Sequence, residues 1–139
     1  MEQVSEFVRV YTDGSCLRNP GPGGWAFMVV DGDMEHEVSG GEYTTTNNRM
    51  ELLAVIEALR FIEASHVAIY TDSLWVLNCA KGSWKRKANL DMWKEFDQVA
   101  CKKTIDWNWV RGHNGDTNNE RVDKLARGKA VYYNSLLLR

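Results

Sequence analysis

Four acidic residues have neighbours that make them candidates for chemistry. They are Asp13 in "VRVYTDGS", Glu51 in "NNRMELL", Asp72 in "VAIYTDSL" and Asp123 in "NERVDKLA". The tripeptide Tyr-Thr-Asp occurs twice, each time ending a short β-branched run that reads as a strand. If the two strands run parallel and adjacent, Asp13 and Asp72 emerge together at their carboxyl ends, where open α/β sheets hold ligands. Two close carboxylates repel and resist ionisation unless a cation sits between them. Glu51 lies between Met50 and Leu52 in the first turn of an apolar helix, and Asp123 borders a stripe of Val122, Leu125 and Ala126. Hard oxygen ligands of this kind select Mg²⁺ or Mn²⁺ over zinc. Several carboxylates around two such ions suit in-line displacement at a phosphodiester. Each acid also has an ordinary alternative. Asp13 and Asp72 can start turns. Glu51 can complete a capping box with Asn48. Asp123 can be a solvated helix acid paired with Arg127 at i+4.

The elements that must position these acids are legible from periodicity. Strands are expected at residues 7–12, 25–30 and 35–40, with "DGD" as the hairpin between the second and third. The third is polar and belongs at a sheet edge. The intervening "GSCLRNPGPGG" reads as a loop by its Gly, Asn and Pro content. Residues 48–64 form the strongest helix, with Leu52, Val55, Ile56, Leu59 and Ile62 on one stripe and Ala54, Ala58 and Phe61 beside it. A strand at 67–71, helices at 74–80 and 90–102, a strand at 105–110 and a helix at 117–133 follow. The last opens on Thr117-x-x-Glu120, a capping-box pattern. The order βββαβααβα implies an α/β fold with a mixed sheet and helices packed on it.

The chain has 139 residues, enough for one domain, with an ordinary 44% hydrophobic and 26% charged content. Its apolar runs are too short for a membrane span, and its N-terminus has no signal-peptide character. The three cysteines, Cys16, Cys79 and Cys101, have no CxxC spacing and read as reduced thiols of a cytoplasmic protein. The net charge of −2 announces no polyanion partner. Locally, however, "KGSWKRK" joins four cations to Trp84, either a contact for a polyanion or a solvated loop.

The blocks "YTDGSCLRNPGPGGW", "TTTNNRMELLAVIEAL", "YTDSLWV" and "WVRGHNGDTNNERVDKLAR" together resemble the ribonuclease H type 1 family, in its order and spacing. The resemblance covers residues 7–130 and implies one catalytic domain over residues 1–139 (core 7–133) with a ribonuclease H-like fold built on five strands. It implies internal hydrolysis of the RNA strand of RNA/DNA hybrids, leaving 5′-phosphate and 3′-hydroxyl ends. By motif position, the family's metal-binding carboxylates fall on Asp13, Glu51, Asp72 and Asp123, around two Mg²⁺ ions. The family's mobile histidine falls on His113. Asn19, Asn47 and Asn48 match minor-groove contacts, and Thr46 matches a threonine on a DNA phosphate. The same residues would also serve as turn and cap groups. Two departures stand out. Leu74 replaces a frequent glutamine, and "SWKRKAN" is all that remains of a longer basic protrusion. Trp84 with Lys85, Arg86 and Lys87 is expected to serve as its remnant, an aromatic for deoxyribose and cations for phosphate. The implied protein is a monomer acting on a hybrid, with no membrane contact. A hybrid-binding module without catalysis, or a nuclease for DNA, are the competing classes. The retained acid set favours catalysis, and the Asn-rich set favours RNA.

Overall fold

The computed structural model describes residues 7–111 and 116–138. Five strands and four helices follow the expected order: β1 (Phe7–Cys16), β2 (Gly21–Asp31), β3 (Met34–Thr45), α1 (Asn47–Phe61), β4 (His66–Thr71), α2 (Leu74–Lys81), α3 (Leu90–Ala100), β5 (Thr104–Trp109) and α4 (Thr117–Leu137). The sheet runs β3-β2-β1-β4-β5. Tight turns make β1, β2 and β3 an antiparallel meander, whereas β4 lies parallel to both β1 and β5. Parallel pairing requires a crossover, which α1 provides between the meander and β4.

Alternating side chains divide the core into two faces. Val8, Val10, Phe27 and Val29 meet α1 and the buried side of α3, where Trp93 and Phe96 sit. Tyr11, Ala26 and Met28 face Val122 and Ala126 of α4. The predicted α1 stripe is buried, together with Ala54 and Ala58, while Phe61 stays half-exposed against Phe27 at the rim.

Several boundaries move, each for a physical reason. The loop expected over residues 14–24 shrinks to 17–20, because β1 and β2 continue pairing through Cys16 and Gly23. Helix α1 starts one residue early, capped by Thr46, whose hydroxyl accepts from the Arg49 N–H at 3.2 Å. It stops at Phe61 because Ile62 is extended, and the Lys103 ammonium takes over the carbonyls of Ile62 and Ala64 at 2.7 and 2.8 Å. Helix α4 is capped by Asp116 rather than Thr117, and it runs on to Leu137. Strand β3 extends to Thr45 and occupies the sheet edge, as its polarity requires.

Candidate active site

The repeated tripeptide is a register mark. Tyr11 and Tyr70 are Cα partners in the parallel β1–β4 pair, and their rings stack with centroids 4.7 Å apart. Two residues further on, both strands deliver an aspartate at the same end of the sheet. Glu51 joins them because β1 comes unusually close to α1. A Cβ placed on Gly14 would lie 2.3 Å from the Glu51 nitrogen, so only glycine permits this approach. The Gly14 N–H donates to both Asp13 Oδ1 (2.9 Å) and Glu51 Oε1 (2.8 Å). The Glu51 carboxylate therefore serves β1, not its own helix end, and the capping-box alternative does not hold. On the other face, a Cβ on Gly24 would lie 2.1 Å from the Ala126 carbonyl oxygen, so α4 also rides close to the sheet. Asp123, one turn before Ala126, lines the same cleft as Asp13, Glu51 and Asp72, alongside Ser15, Asn47 and Ser73.

Asp13, Glu51 and Asp72 each place a carboxylate oxygen within 4.8 Å of the others. Asp13 and Glu51 are buried and Asp72 half-buried. Burial is the main reason the Asp13 carboxyl is pushed up to about 7, with the Asp72 charge and a hydrogen bond to Asp123 adding to it. Its hydrogen bonds to Glu51 and to the Gly14 N–H act in the opposite direction. Glu51 is raised well above the usual range, first by burial and then by the Asp13 charge. Among the described residues, the second Glu51 oxygen, Oε2, is buried without an N–H or O–H donor in range. A concentrated, desolvated carboxylate set with an orphaned acceptor oxygen fits a divalent cation with hard-oxygen preference. Asp123 keeps its i+4 ion pair, with Arg127 at 2.8 Å from Oδ2, while facing the cleft.

The other expected site residues divide. Asn19 Oδ1 accepts from the Asn47 N–H at 2.9 Å, tying the β1–β2 turn to the start of α1. Asn47 lines the acid cleft, Asn48 is exposed beside it, and Thr46 is half-buried. Among the described residues, cap and turn chemistry accounts for one atom each of Asn19 and Thr46, leaving the Asn19 amide NH₂ and the Thr46 O–H as donors. Trp84 is half-exposed, between α2 and α3. Of the three cations after it, Arg86 is a correction. It turns inward to the Cys79 carbonyl and Asp97, because α3 offers it a carboxylate and an aromatic face. Leu74 is exposed at the start of α2. His113 lies outside the described residues.

Two positioning groups escaped the sequence reading. Ser73 caps α2, its hydroxyl accepting from the Val76 N–H at 3.1 Å, and so fixes the chain immediately after Asp72. The Trp109 indole N–H donates to the Asp72 carbonyl at 3.3 Å. The Ser73 cap is foreshadowed by a serine directly before an apolar helix. Nothing local in the sequence marks the Trp109 contact, since it depends on β4–β5 register.

A mixed sheet with a carboxylate-walled cleft at the carboxyl ends of its central parallel strands defines a ribonuclease H-like α/β architecture. Known proteins agree. A family model described as RNase H matches residues 5–131. A Ribonuclease H of Hahella chejuensis is 45% identical, with 86% of this chain and 90% of that protein covered. A Ribonuclease H of Xanthomonas euvesicatoria is 43% identical, with 91% and 93% covered. An RNase H domain from Mycobacterium tuberculosis, solved as a fusion with maltose-binding protein, superimposes with a TM-score of 0.87 at 25% identity, covering 96% of this chain and 99% of that one. The chain belongs to the RNase H family, of type 1, and its relatives are nucleases.

Proposed function

We propose that this protein is an endoribonuclease that hydrolyses the RNA strand of RNA/DNA hybrids, leaving 5′-phosphate and 3′-hydroxyl ends with little sequence preference. The observation that carries the reading is the cluster of Asp13, Glu51 and Asp72, with Asp123 in the same cleft. These four carboxylates would hold two Mg²⁺ ions, with Mn²⁺ as a substitute. Bound there, the ions supply Lewis-acid stabilisation of phosphoryl oxygens and a more acidic water. The remaining work belongs to the chain. Asp13 and Glu51 surrender the protons that burial favours, and the Gly14 N–H holds one oxygen of each in place.

Strand choice rests on the 2′-hydroxyl, which distinguishes RNA from DNA at a given site. The amides of Asn19, Asn47 and Asn48 are short donors and acceptors suited to a wide, shallow groove. The Thr46 O–H is suited to a phosphate of the DNA strand, and Trp84 to its deoxyribose. Contacts of this kind read backbone shape and little base identity. His113 is assigned proton movement or product release. The reading includes a monomeric enzyme working in the cytoplasm as one catalytic domain.

The test is a labelled panel of hybrid, single-stranded RNA, duplex RNA and duplex DNA, each with Mg²⁺. Cleavage confined to the hybrid's RNA strand is the expected outcome. Asp13→Asn should cut activity by more than the ~10–100-fold that loss of a residue merely supporting a metal ligand costs. Equal cutting of duplex DNA, or an Asp13→Asn protein of undiminished activity, overturns the proposal.

A further inference from the structure

Lys85, Arg86 and Lys87 are consecutive, yet the fold treats them unequally. Both lysines are exposed, whereas Arg86 is partly buried. Arg86 Nε donates to the Cys79 carbonyl at 3.0 Å, and one terminal nitrogen donates to both Asp97 oxygens at 2.9 Å. Its guanidinium carbon lies 4.3 Å from the centre of the Trp93 ring and 5.7 Å from that of Phe96, both buried on α3. One side chain thus ties the α2–α3 connection to the end of α2 and to the buried face of α3. Upstream, the Trp84 N–H donates to the Asn78 carbonyl at 3.1 Å. Between these two anchors Trp84 stands over a groove that it lines together with Trp75, Ser83, Lys85 and Lys87.

We infer that Arg86 is a positioning residue, a latch that holds Trp84, Lys85 and Lys87 as a preformed wall for the deoxyribose-phosphate strand of a hybrid. The inference rests on the hybrid reading above and adds how a short connection serves in place of a long one. A loose loop would have to order itself as it binds, which subtracts from affinity, whereas a loop anchored beforehand does not. The planar fork of arginine suits this task, because it meets a carboxylate with one edge and an aromatic ring with its face. The two exposed lysines supply the charge complementarity that selects a polyanion.

A latch and a simple phosphate contact differ in the sign of one substitution. Asp97→Asn removes a negative charge near the groove, so plain electrostatics tightens hybrid binding. Loss of the latch instead weakens it, by roughly 3–10-fold, with KM raised and kcat unchanged. Arg86→Met should weaken binding while leaving the slope of log K against log salt unaltered. Lys85→Ala and Lys87→Ala should each flatten that slope by about 1. In the free protein, hydrogen exchange at the Trp84 amide should accelerate in both Asp97→Asn and Arg86→Met. Tighter or unchanged binding by Asp97→Asn, a flattened slope in Arg86→Met, or unaltered Trp84 exchange in both variants overturns the latch. If the unsubstituted protein fails to bind hybrid, the hybrid reading falls, and the exchange measurement still decides whether Arg86 anchors the wall.

Discussion

Asp13 concentrates the tension of the site. The residue is 3% exposed, and its carboxyl is raised from 3.8 to about 7, chiefly because burial penalises its charge. Between about pH 4 and pH 7 the folded protein keeps a proton there that the unfolded chain has lost, so folding is favoured by binding it. That contribution is fully present below the unfolded value and disappears as pH rises through about 7. Without metal, stability should therefore fall from about pH 4 to about pH 7, by ~2–4 kcal/mol from this group. Asp13→Asn should flatten the fall, because an amide never takes the charge. Denaturant unfolding of both proteins in a chelator checks this, and parallel pH profiles would refute it. The residues themselves announced this chemistry in part. Two Tyr-Thr-Asp copies were visible as strand ends, and their pairing followed from parallel register. Whether Glu51 caps its helix or turns toward β1 was not visible. It depends on a backbone approach that no side-chain pattern encodes.

Among the elements, the contact of β1 with α1 matters most, and Gly14 controls it. An alanine methyl there would meet the backbone of Met50 and Glu51 at 2.3–2.8 Å. Helix α1 would have to withdraw, which costs ~1–3 kcal/mol of strain and separates Glu51 from Asp13. Gly14→Ala should lower both thermal stability and metal affinity. Gly32→Ala is the informative comparison: Gly32 has a φ of +60° with open space around it. That variant should lose ~1 kcal/mol of stability and keep its metal affinity. Thermal unfolding and metal titration separate the two cases. Helix and strand types were readable because their periods are strong. Their ends were less so, because capping is decided between near-equal neighbours such as Thr46 and Asn48. The cations after Trp84 pose the same problem. Three in a row look alike until α3 presents Trp93 and Asp97 to one of them.

At the scale of the whole molecule, helices cover both faces of the sheet and all four acids meet at one end of it. The net charge of −2 hides a local separation: Asp13, Glu51, Asp72 and Asp123 gather in one cleft while Lys85 and Lys87 line another groove. Among the described residues no helix is long and apolar enough to cross a membrane. Among the described residues, the sheet order leaves β3 paired on one side only, with twelve residues of strand along the other side. Such a rim is a template on which a second chain can add a strand. Glu35, Glu37 and Glu42 are exposed along it, and Arg121 of α4 reaches across to Glu35 at 3.0 Å and to Glu37. Charges on an edge strand oppose the meeting of two such rims, and the arginine holds Glu35 and Glu37 at the strand. Replacing Glu35 and Glu37 with valine should promote self-association, visible as faster sedimentation with rising concentration. The polar strand that contributes least to the core would then be what keeps each copy separate in a crowded solution.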